Sequence, residues 1–306
     1  MSTTELELTR STLPREGLDL AVWQGGAPDG PTVVMVHGWP DTHRMWLGVA
    51  ELLAHDFGVV LYDTRGQGQS TAPDGTDFRL PTLAADLNAV LDAVSPEEPV
   101  HVLAHDWGSV QAWEAVCEPG AEQRIASFTS ISGPNIDHLA SWARRRLAHP
   151  TPRGVGAVLA QVASSSYIPF FVSPLAPPVL RALGSQDRWR RLVGAAEGRL
   201  PEADRHASTL ADDMVSGLRY YRANAMPRRP RERRTRVPVL QLVLTRDPAI
   251  REASLHESDH WCDHLERRHL PYGHWAPLTA PADVADEAAE FIRRVSSGGP
   301  GATAPG

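Results

Sequence analysis

The stretch that decides the fold is Val100-His101-Val102-Leu103-Ala104-His105-Asp106-Trp107-Gly108-Ser109. Its first five residues form the kind of apolar run that is typical of a buried strand, and residues 107–117 follow a helical pattern. The small residues Ala104 and Gly108 stand two positions before and two positions after Asp106. A tight strand–turn–helix of this pattern presents a nucleophile at its tip. We therefore predict that Asp106 is a nucleophile.

A carboxylate at the tip predicts a particular chemistry. An aspartate attacks saturated carbon and forms an alkyl ester, whereas a serine in this place would attack a carbonyl group. The substrate is therefore expected to carry an electrophilic sp3 carbon, in an epoxide or in a carbon–halogen bond.

Strand and helix patterns alternate along most of the chain. Strand patterns lie at roughly 18–23, 32–36, 59–62, 100–104, 127–131 and 238–244. Helix patterns lie at 80–94, 107–117 and 281–295. This alternation predicts an α/β fold with a mostly parallel sheet and helices on both faces.

The alternation stops between residues 134 and 236, where the sequence is helical, irregular and rich in proline. We predict that 134–236 is an inserted helical cap over the carboxyl ends of the strands, where open α/β sheets bind their ligands. The core domain would then be 1–133 and 237–295. Residues 296–306, rich in Ser, Gly, Pro and Ala, predict a flexible tail.

Composition narrows the function classes. The chain has 306 residues, 42% of them hydrophobic and 22% charged, with a net charge of −7, which does not favour nucleic acid as a partner. No apolar run approaches the roughly 18 residues of a membrane span, and residues 1–10 lack the apolar core of a signal peptide. Two cysteines do not predict a disulfide framework. We expect a cytoplasmic protein without an integral membrane segment, and a homodimer is compatible with these features.

Two further loops predict an acid–base pair. Asp247 follows the strand at 238–244, and His274 precedes the last helix. The chain order nucleophile, acid, histidine predicts that Asp247 orients His274, which takes a proton from the water that hydrolyses the ester. Asp137, after the strand that ends at 131, is an alternative acid.

A strand also leads into the turn His37-Gly38-Trp39-Pro40. In this arrangement the loop after the strand and the residue after the nucleophile each supply a backbone N–H to an oxyanion hole. The predicted donors are Trp39 and Trp107, and their indoles are expected to line the substrate pocket.

With these residues in hand, the chain resembles the α/β-hydrolase-fold epoxide hydrolases, above all the hydrolase portion of actinobacterial proteins that fuse such a domain to a short-chain dehydrogenase. The resemblance covers roughly residues 17–295. Its most specific marks are His-Gly-Trp-Pro at 37–40, His-Asp-Trp-Gly at 105–108 and Gly-His-Trp at 273–275. It implies the α/β-hydrolase fold with a helical cap.

The resemblance also implies two cap tyrosines that donate hydrogen bonds to the epoxide oxygen. The first is Tyr167, in Tyr167-Ile168-Pro169-Phe170-Phe171, and the second is Tyr221, in Tyr220-Tyr221-Arg222. Tyr220 is the adjacent alternative to Tyr221. Phe170 and Phe171 are expected to line the substrate pocket. Two O–H donors suit this chemistry because opening an epoxide leaves an alkoxide whose charge must be stabilised as it develops.

The favoured hypothesis is an epoxide hydrolase that takes a small-molecule, lipophilic epoxide and water to a vicinal diol through an ester on Asp106. No cofactor and no metal are expected. A haloalkane dehalogenase with the same aspartate, histidine and aspartate is one alternative, and a biosynthetic epoxide-opening cyclase is another.

Overall fold

A computed structural model of the protein describes residues 6–225 and 229–298. From residue 299 onward, the predicted tail lies outside the described residues. The strands are β1 (Leu8–Arg15), β2 (Leu18–Gly26), β3 (Thr32–Val36), β4 (Gly58–Tyr62), β5 (Val100–His105), β6 (Ile125–Ile131), β7 (Val239–Leu244) and β8 (Leu265–Leu270). They form one sheet in the order β1-β2-β4-β3-β5-β6-β7-β8.

The sheet is antiparallel at one edge and parallel elsewhere. The β1–β2 and β2–β4 pairs are antiparallel. All pairs from β4 through β3, β5, β6 and β7 to β8 are parallel. Every residue of β5 and of β7 is buried, which explains why apolar residues predominate on both faces of these strands.

Helices cover both faces of the sheet. The helices before the insertion are α1 (Leu47–Leu53), α2 (Leu80–Val94) and α3 (Trp107–Val116), and those after it are α11 (Glu252–Leu255), α12 (Ala276–Thr279) and α13 (Pro281–Ser296). One apolar core lies between the sheet and α1 with α13, and a second lies between the sheet and α2 with α3. The predicted α/β architecture with a mostly parallel sheet is therefore confirmed.

The predictions missed two strands, β1 and β8. Both lie at the edges of the sheet, and their sequences, LTRSTLPR and LERRHL, are largely polar. An edge strand has one neighbour and is partly solvated, so it needs no apolar run that a sequence pattern could reveal.

Between β6 and β7 the described residues are helical. The helices are α4 (Ile136–Ala148), α5 (Pro152–Ser164), α6 (Ile168–Val172), α7 (Ala176–Leu183), α8 (Gln186–Glu197), α9 (Leu210–Ser216) and α10 (Leu218–Asn224). We call this insertion the cap, and its sequence-based limits at 134 and 236 stay a prediction. No helix in the described residues has the length and the apolar character needed to cross a membrane.

Candidate active site

Asp106 lies at the sharp turn between β5 and α3. Its backbone has φ 51° and ψ −124°, a conformation that L-residues rarely adopt and that costs on the order of 1–3 kcal/mol. The turn is held because the Asp106 N–H donates to the carbonyl of Ile131 at 3.0 Å. Gly108 allows the turn to sit against β3, since a Cβ there would lie 2.3 Å from the carbonyl oxygen of Val36.

The two carboxylate oxygens of Asp106 have different surroundings. Oδ1 accepts the backbone N–H of Trp39 at 2.7 Å. Oδ2 lies 3.6 Å from Nε2 of His274. Gly38 permits the close approach of the Trp39 loop, because a Cβ at Gly38 would lie 2.3 Å from Oδ1. Oδ1 therefore lies against one of the two predicted oxyanion-hole donors, which leaves Oδ2 as the oxygen that can attack.

His274 is held through its ring and through its backbone carbonyl. Its Nδ1 lies 3.1 Å from Oδ2 of Asp247. The other oxygen of Asp247 accepts the backbone N–H groups of Ala249 at 2.7 Å and Ile250 at 3.2 Å. Nε2 of His105 lies 2.7 Å from the carbonyl oxygen of His274 and donates to it. The ring is thus oriented with Nε2 towards Asp106.

The charges of this group are strongly coupled. Burial alone lowers the pKa of His274, but Asp247 and Asp106 more than offset burial and raise it well above the ordinary value. Burial raises the pKa of Asp247, and the adjacent imidazole brings it down to about 2. The pKa of Asp106 is also lowered, because His274 and the N–H of Trp107 outweigh burial. The two carboxylates therefore favour the protonated form of the imidazole.

Asp137, the alternative acid, lies elsewhere. It is at the start of α4 and accepts hydrogen bonds from Arg231, from Nε at 3.0 Å and from Nη2 at 2.8 Å. The same guanidinium pairs with Glu114. The structure thus places Asp247, and not Asp137, against the ring of His274.

The two predicted tyrosines meet above Asp106. Tyr221 on α10 is 5% exposed, and its ring centroid lies 6.1 Å from that of Tyr167, just before α6. For both phenols, burial is the largest cause of a raised pKa, and the negative charge of Asp106 raises it further. Both hydroxyls therefore keep their protons at neutral pH, and the two phenols hydrogen-bond to each other.

Tyr220 faces the opposite way. Its hydroxyl donates to the carbonyl oxygen of Arg65 at 2.8 Å and lies 2.9 Å from Oγ1 of Thr64. These contacts connect α10 to the loop after β4. Of the two adjacent tyrosines, the structure brings Tyr221 to the site and keeps Tyr220 as a buried link between cap and core.

Aromatic side chains enclose the space around the tyrosines. The Trp39 ring lies 4.6 Å from that of Phe171, centroid to centroid, and Phe170 lies 5.9 Å from Phe171. The ring of Trp107 lies 4.9 Å from that of Tyr221. The Trp39 indole N–H donates to the carbonyl oxygen of Met214 at 3.0 Å, which fixes the orientation of that ring against the cap.

One residue of the site carried no signal in the sequence. Glu197, at the end of α8, accepts the backbone N–H of Gly273 at 3.0 Å through Oε2 and that of Trp275 at 3.1 Å through Oε1. One cap carboxylate thus holds the residues on both sides of His274. Glu197 belongs to no motif and is far from the histidine along the chain, so only the tertiary contact identifies it.

The described residues contain no group of three or more histidine, cysteine, aspartate or glutamate side chains arranged to hold a metal ion.

Comparisons with known proteins place the chain in a family. The profile of the alpha/beta hydrolase fold matches residues 31–281. Because this match covers most of the chain, the chain belongs to the α/β-hydrolase fold family, and the predicted fold class is confirmed.

Several relatives are similar over long stretches. The Mycobacterium tuberculosis protein named "Probable oxidoreductase EphD" is 39% identical over 296 residues, which cover 93% of this chain and 49% of that protein. The chain therefore spans about half the length of this relative. An epoxide hydrolase of Caballeronia sordidicola is 30% identical over 232 residues, which cover 68% of each chain.

A solved structure confirms the likeness of fold. It comes from work on epoxide hydrolases of the α/β-hydrolase superfamily in metagenomes from hot environments, and it matches with a TM-score of 0.72 and 22% identity over 94% of this chain and 98% of that one. At this identity the likeness speaks for the fold alone.

Proposed function

We propose that this member of the α/β-hydrolase fold family is an epoxide hydrolase that converts a lipophilic epoxide and water to a vicinal diol. The observation that supports the proposal is that two phenols, Tyr167 and Tyr221, share one apolar cluster with Trp39 and Trp107, the residues that adjoin Asp106. Opening an epoxide in this way requires a carboxylate that attacks carbon and acidic groups that donate hydrogen bonds and a proton to the epoxide oxygen.

In the first step Oδ2 of Asp106 attacks one oxirane carbon while that carbon's bond to the ring oxygen breaks. Tyr167 and Tyr221 donate hydrogen bonds to the oxygen as its negative charge develops, and one of them gives it a proton. The tyrosinate so formed regains a proton from the His274 imidazolium. The products of this step are an alkyl ester on Asp106, a new hydroxyl group and a neutral imidazole, and the net charge of the site is unchanged.

In the second step the neutral imidazole takes a proton from water at Nε2, and the hydroxide attacks Cγ of Asp106. Negative charge then develops on Oδ1, which the Trp39 N–H already binds at 2.7 Å and towards which we assign the Trp107 N–H as the second donor. Collapse of this intermediate breaks the ester bond. The departing alkoxide oxygen takes the proton of the carboxylic acid formed at Asp106. Asp106 is then a carboxylate again and His274 an imidazolium.

The relatives support the same class. The Caballeronia sordidicola relative is named an epoxide hydrolase. We further propose that the chain corresponds to the hydrolase half of proteins such as EphD, whose other half lies beyond the matched region. The fusion with a dehydrogenase, the cytoplasmic location and the homodimer stay predictions.

A haloalkane dehalogenase needs N–H donors for the halide it releases. The indole N–H of Trp39 already donates to Met214, and the rings of Tyr167 and Tyr221 lie 6.1 Å apart, centroid to centroid, in the same apolar cluster. These contacts favour an epoxide oxygen over a halide. An epoxide-opening cyclase would share the first step and differ only in whether water or a substrate hydroxyl completes the product.

The decisive experiment traps the ester. His274→Asn removes the base, so incubation with a panel of epoxides should add the whole epoxide mass to the protein, as measured by intact-protein mass spectrometry. The matched control is His274→Asn combined with Asp106→Asn, which should gain nothing. Addition of an alkyl group without its halogen from a haloalkane panel would instead establish a dehalogenase, and an adduct on the double variant would exclude Asp106 as the nucleophile.

Two comparisons complete the assignment. The product of the unaltered protein is identified against authentic vicinal diol and cyclic ether, and a cyclic ether would replace the hydrolase by the cyclase. Asp247→Asn should slow release of the ester far more than Asp137→Asn, because Asp247 lies 3.1 Å from Nδ1 of His274, whereas Asp137 pairs with Arg231. The reverse order would return the acid role to Asp137.

A further inference from the structure

Part of the cap has an unusual composition. Residues 154–180 contain no charged residue over 27 positions, in a chain of which 22% is charged. This uncharged segment includes most of α5, all of α6 and the first half of α7. It also carries Tyr167, which the mechanism above places on the epoxide oxygen.

The uncharged segment exposes large apolar side chains. Leu159 and Val162 on α5 are 63% and 61% exposed, and Leu175 and Val179 are 67% and 45% exposed. On α5, Val158 and Gln161 are buried, while Leu159 and Val162 on the same helix are exposed to solvent.

The exposed apolar residues are concentrated there. Nine large apolar side chains are exposed in the part of the chain that the structure describes, and eight of them lie in the cap between residues 147 and 200. The ninth, Leu52, is on α1 of the core. Such a concentration of exposed apolar side chains in one part of the chain is a candidate binding surface.

Arginines surround the uncharged segment. Arg153 precedes it, and Arg181 follows it. Two more arginines contact it: Arg251 Nε donates to Ser164 Oγ at 2.7 Å, and Arg222 Nη2 donates to the Ser173 carbonyl at 3.0 Å. Residues 136–225 carry twelve arginines and seven acidic residues, a net charge of +5 in a chain of net charge −7.

We propose that the exposed apolar side chains of the uncharged segment, Leu159, Val162, Leu175 and Val179, dock with the neighbouring arginines on the surface of an anionic lipid bilayer. We call these four side chains the docking face. An apolar patch with basic residues at its border is what lies in the interface of an anionic membrane, with the apolar groups among the acyl chains and the cations at the headgroups. A second copy of the chain fits less well, because a two-fold contact would bring two arginine borders together.

The docking face would also define where the substrate comes from. Tyr167 lies between α5 and α6, within the same segment that would touch the lipid. This part of the inference rests on the proposed epoxide hydrolase: the substrate class is an epoxide carried in the lipid phase, reaching Asp106 from the bilayer side of the cap.

The test is sedimentation with lipid vesicles of two compositions, phosphatidylcholine alone and phosphatidylcholine with phosphatidylglycerol. We expect the protein to sediment with the anionic vesicles and to be released by high salt. Leu159→Asp combined with Val162→Asp should weaken vesicle binding at least about tenfold, because it replaces apolar side chains that would contact the lipid by charged ones. The matched control is Leu52→Asp, an equivalent change outside the docking face, and it should bind as the unaltered protein does.

Each contrary result overturns the proposal. These results are no sedimentation with anionic vesicles, equal binding by the double variant, or a dimer in solution that the double variant abolishes. In the last case the face would be an interface between copies. Thermal unfolding and turnover of a water-soluble epoxide confirm that the double variant is folded and active. Because sedimentation requires no turnover, failure of the proposed hydrolysis and failure of docking are distinguished.

Discussion

Replacing Asp106 by asparagine should lower the pKa of His274. The pKa of this imidazole is raised by two carboxylates, and one of them becomes uncharged when Asp106 forms an ester. Asp106→Asn imitates that loss of charge with little change of shape. The expected fall favours the neutral imidazole, which is the form that can act as a base in ester hydrolysis.

The distance between the groups sets the size of the effect. Asp106 Oδ2 and His274 Nε2 are 3.6 Å apart. At that separation two unit charges interact by about 1 kcal/mol in water and by about 4–5 kcal/mol at an effective dielectric constant of about 20. Since about 1.4 kcal/mol corresponds to one pH unit, the pKa of His274 should fall by about 1 to 3 in Asp106→Asn.

The assay is an NMR titration of histidine ring signals in the unaltered protein and in Asp106→Asn, with the His274 signals identified by their loss in His274→Asn. His138 is the internal control. Burial lowers its pKa to about 4, and its ring contacts Ser258 and the Arg233 carbonyl rather than Asp106, so its titration should not change. An unchanged His274 pKa would refute the coupling between Asp106 and His274, and with it the proposal that His274 returns a proton to the tyrosinate.

Three further outcomes follow from the contacts of the cap. Tyr221→Phe should lower kcat/KM about a hundredfold without a change in Tm, because it removes a donor to the developing alkoxide. Tyr220→Phe should keep its turnover but lose about 1–2 kcal/mol of unfolding free energy, because its buried hydrogen bonds are lost. An equal loss of activity in the two variants would contradict the assignment of Tyr221. Glu197→Gln should lower kcat about tenfold, with KM little changed, because an amide cannot accept both N–H groups that flank His274. An unaltered kcat in steady-state assays would show that the Glu197 carboxylate is not needed to position His274. Burial raises the pKa of Asp213 to about 7. The folded state therefore keeps this proton to a higher pH than the unfolded state does, and the stability that this group contributes is lost as pH rises through about 7. Denaturant unfolding of Asp213→Asn should therefore show a smaller fall in unfolding free energy between about pH 5 and 8 than the unaltered protein, and parallel curves would exclude this linkage.

Local patterns were enough to predict the strands that build the centre of the sheet. β3, β5 and β7 are almost entirely buried, so most of their residues are apolar, and each strand ends at a loop that carries a candidate site residue. β1 and β8 were missed because an edge strand needs no such run. The parallel order of the sheet brings the loops after β3, β5 and β7 to one edge, which is why short motifs far apart in the chain could be assigned to one site.

The amino-acid sequence by itself determined the fold class and the residues proposed for the chemistry, because the tight turn at Asp106 and the order of Asp247 and His274 are local or sequential properties. The tertiary structure alone decided between alternatives that are equivalent in sequence. It places Asp247 rather than Asp137 on His274, turns Tyr221 rather than Tyr220 towards Asp106, and brings Glu197 to the histidine loop. These choices depend on how the cap helices pack on the sheet, and such packing combines many weak contacts between distant residues that no local pattern records.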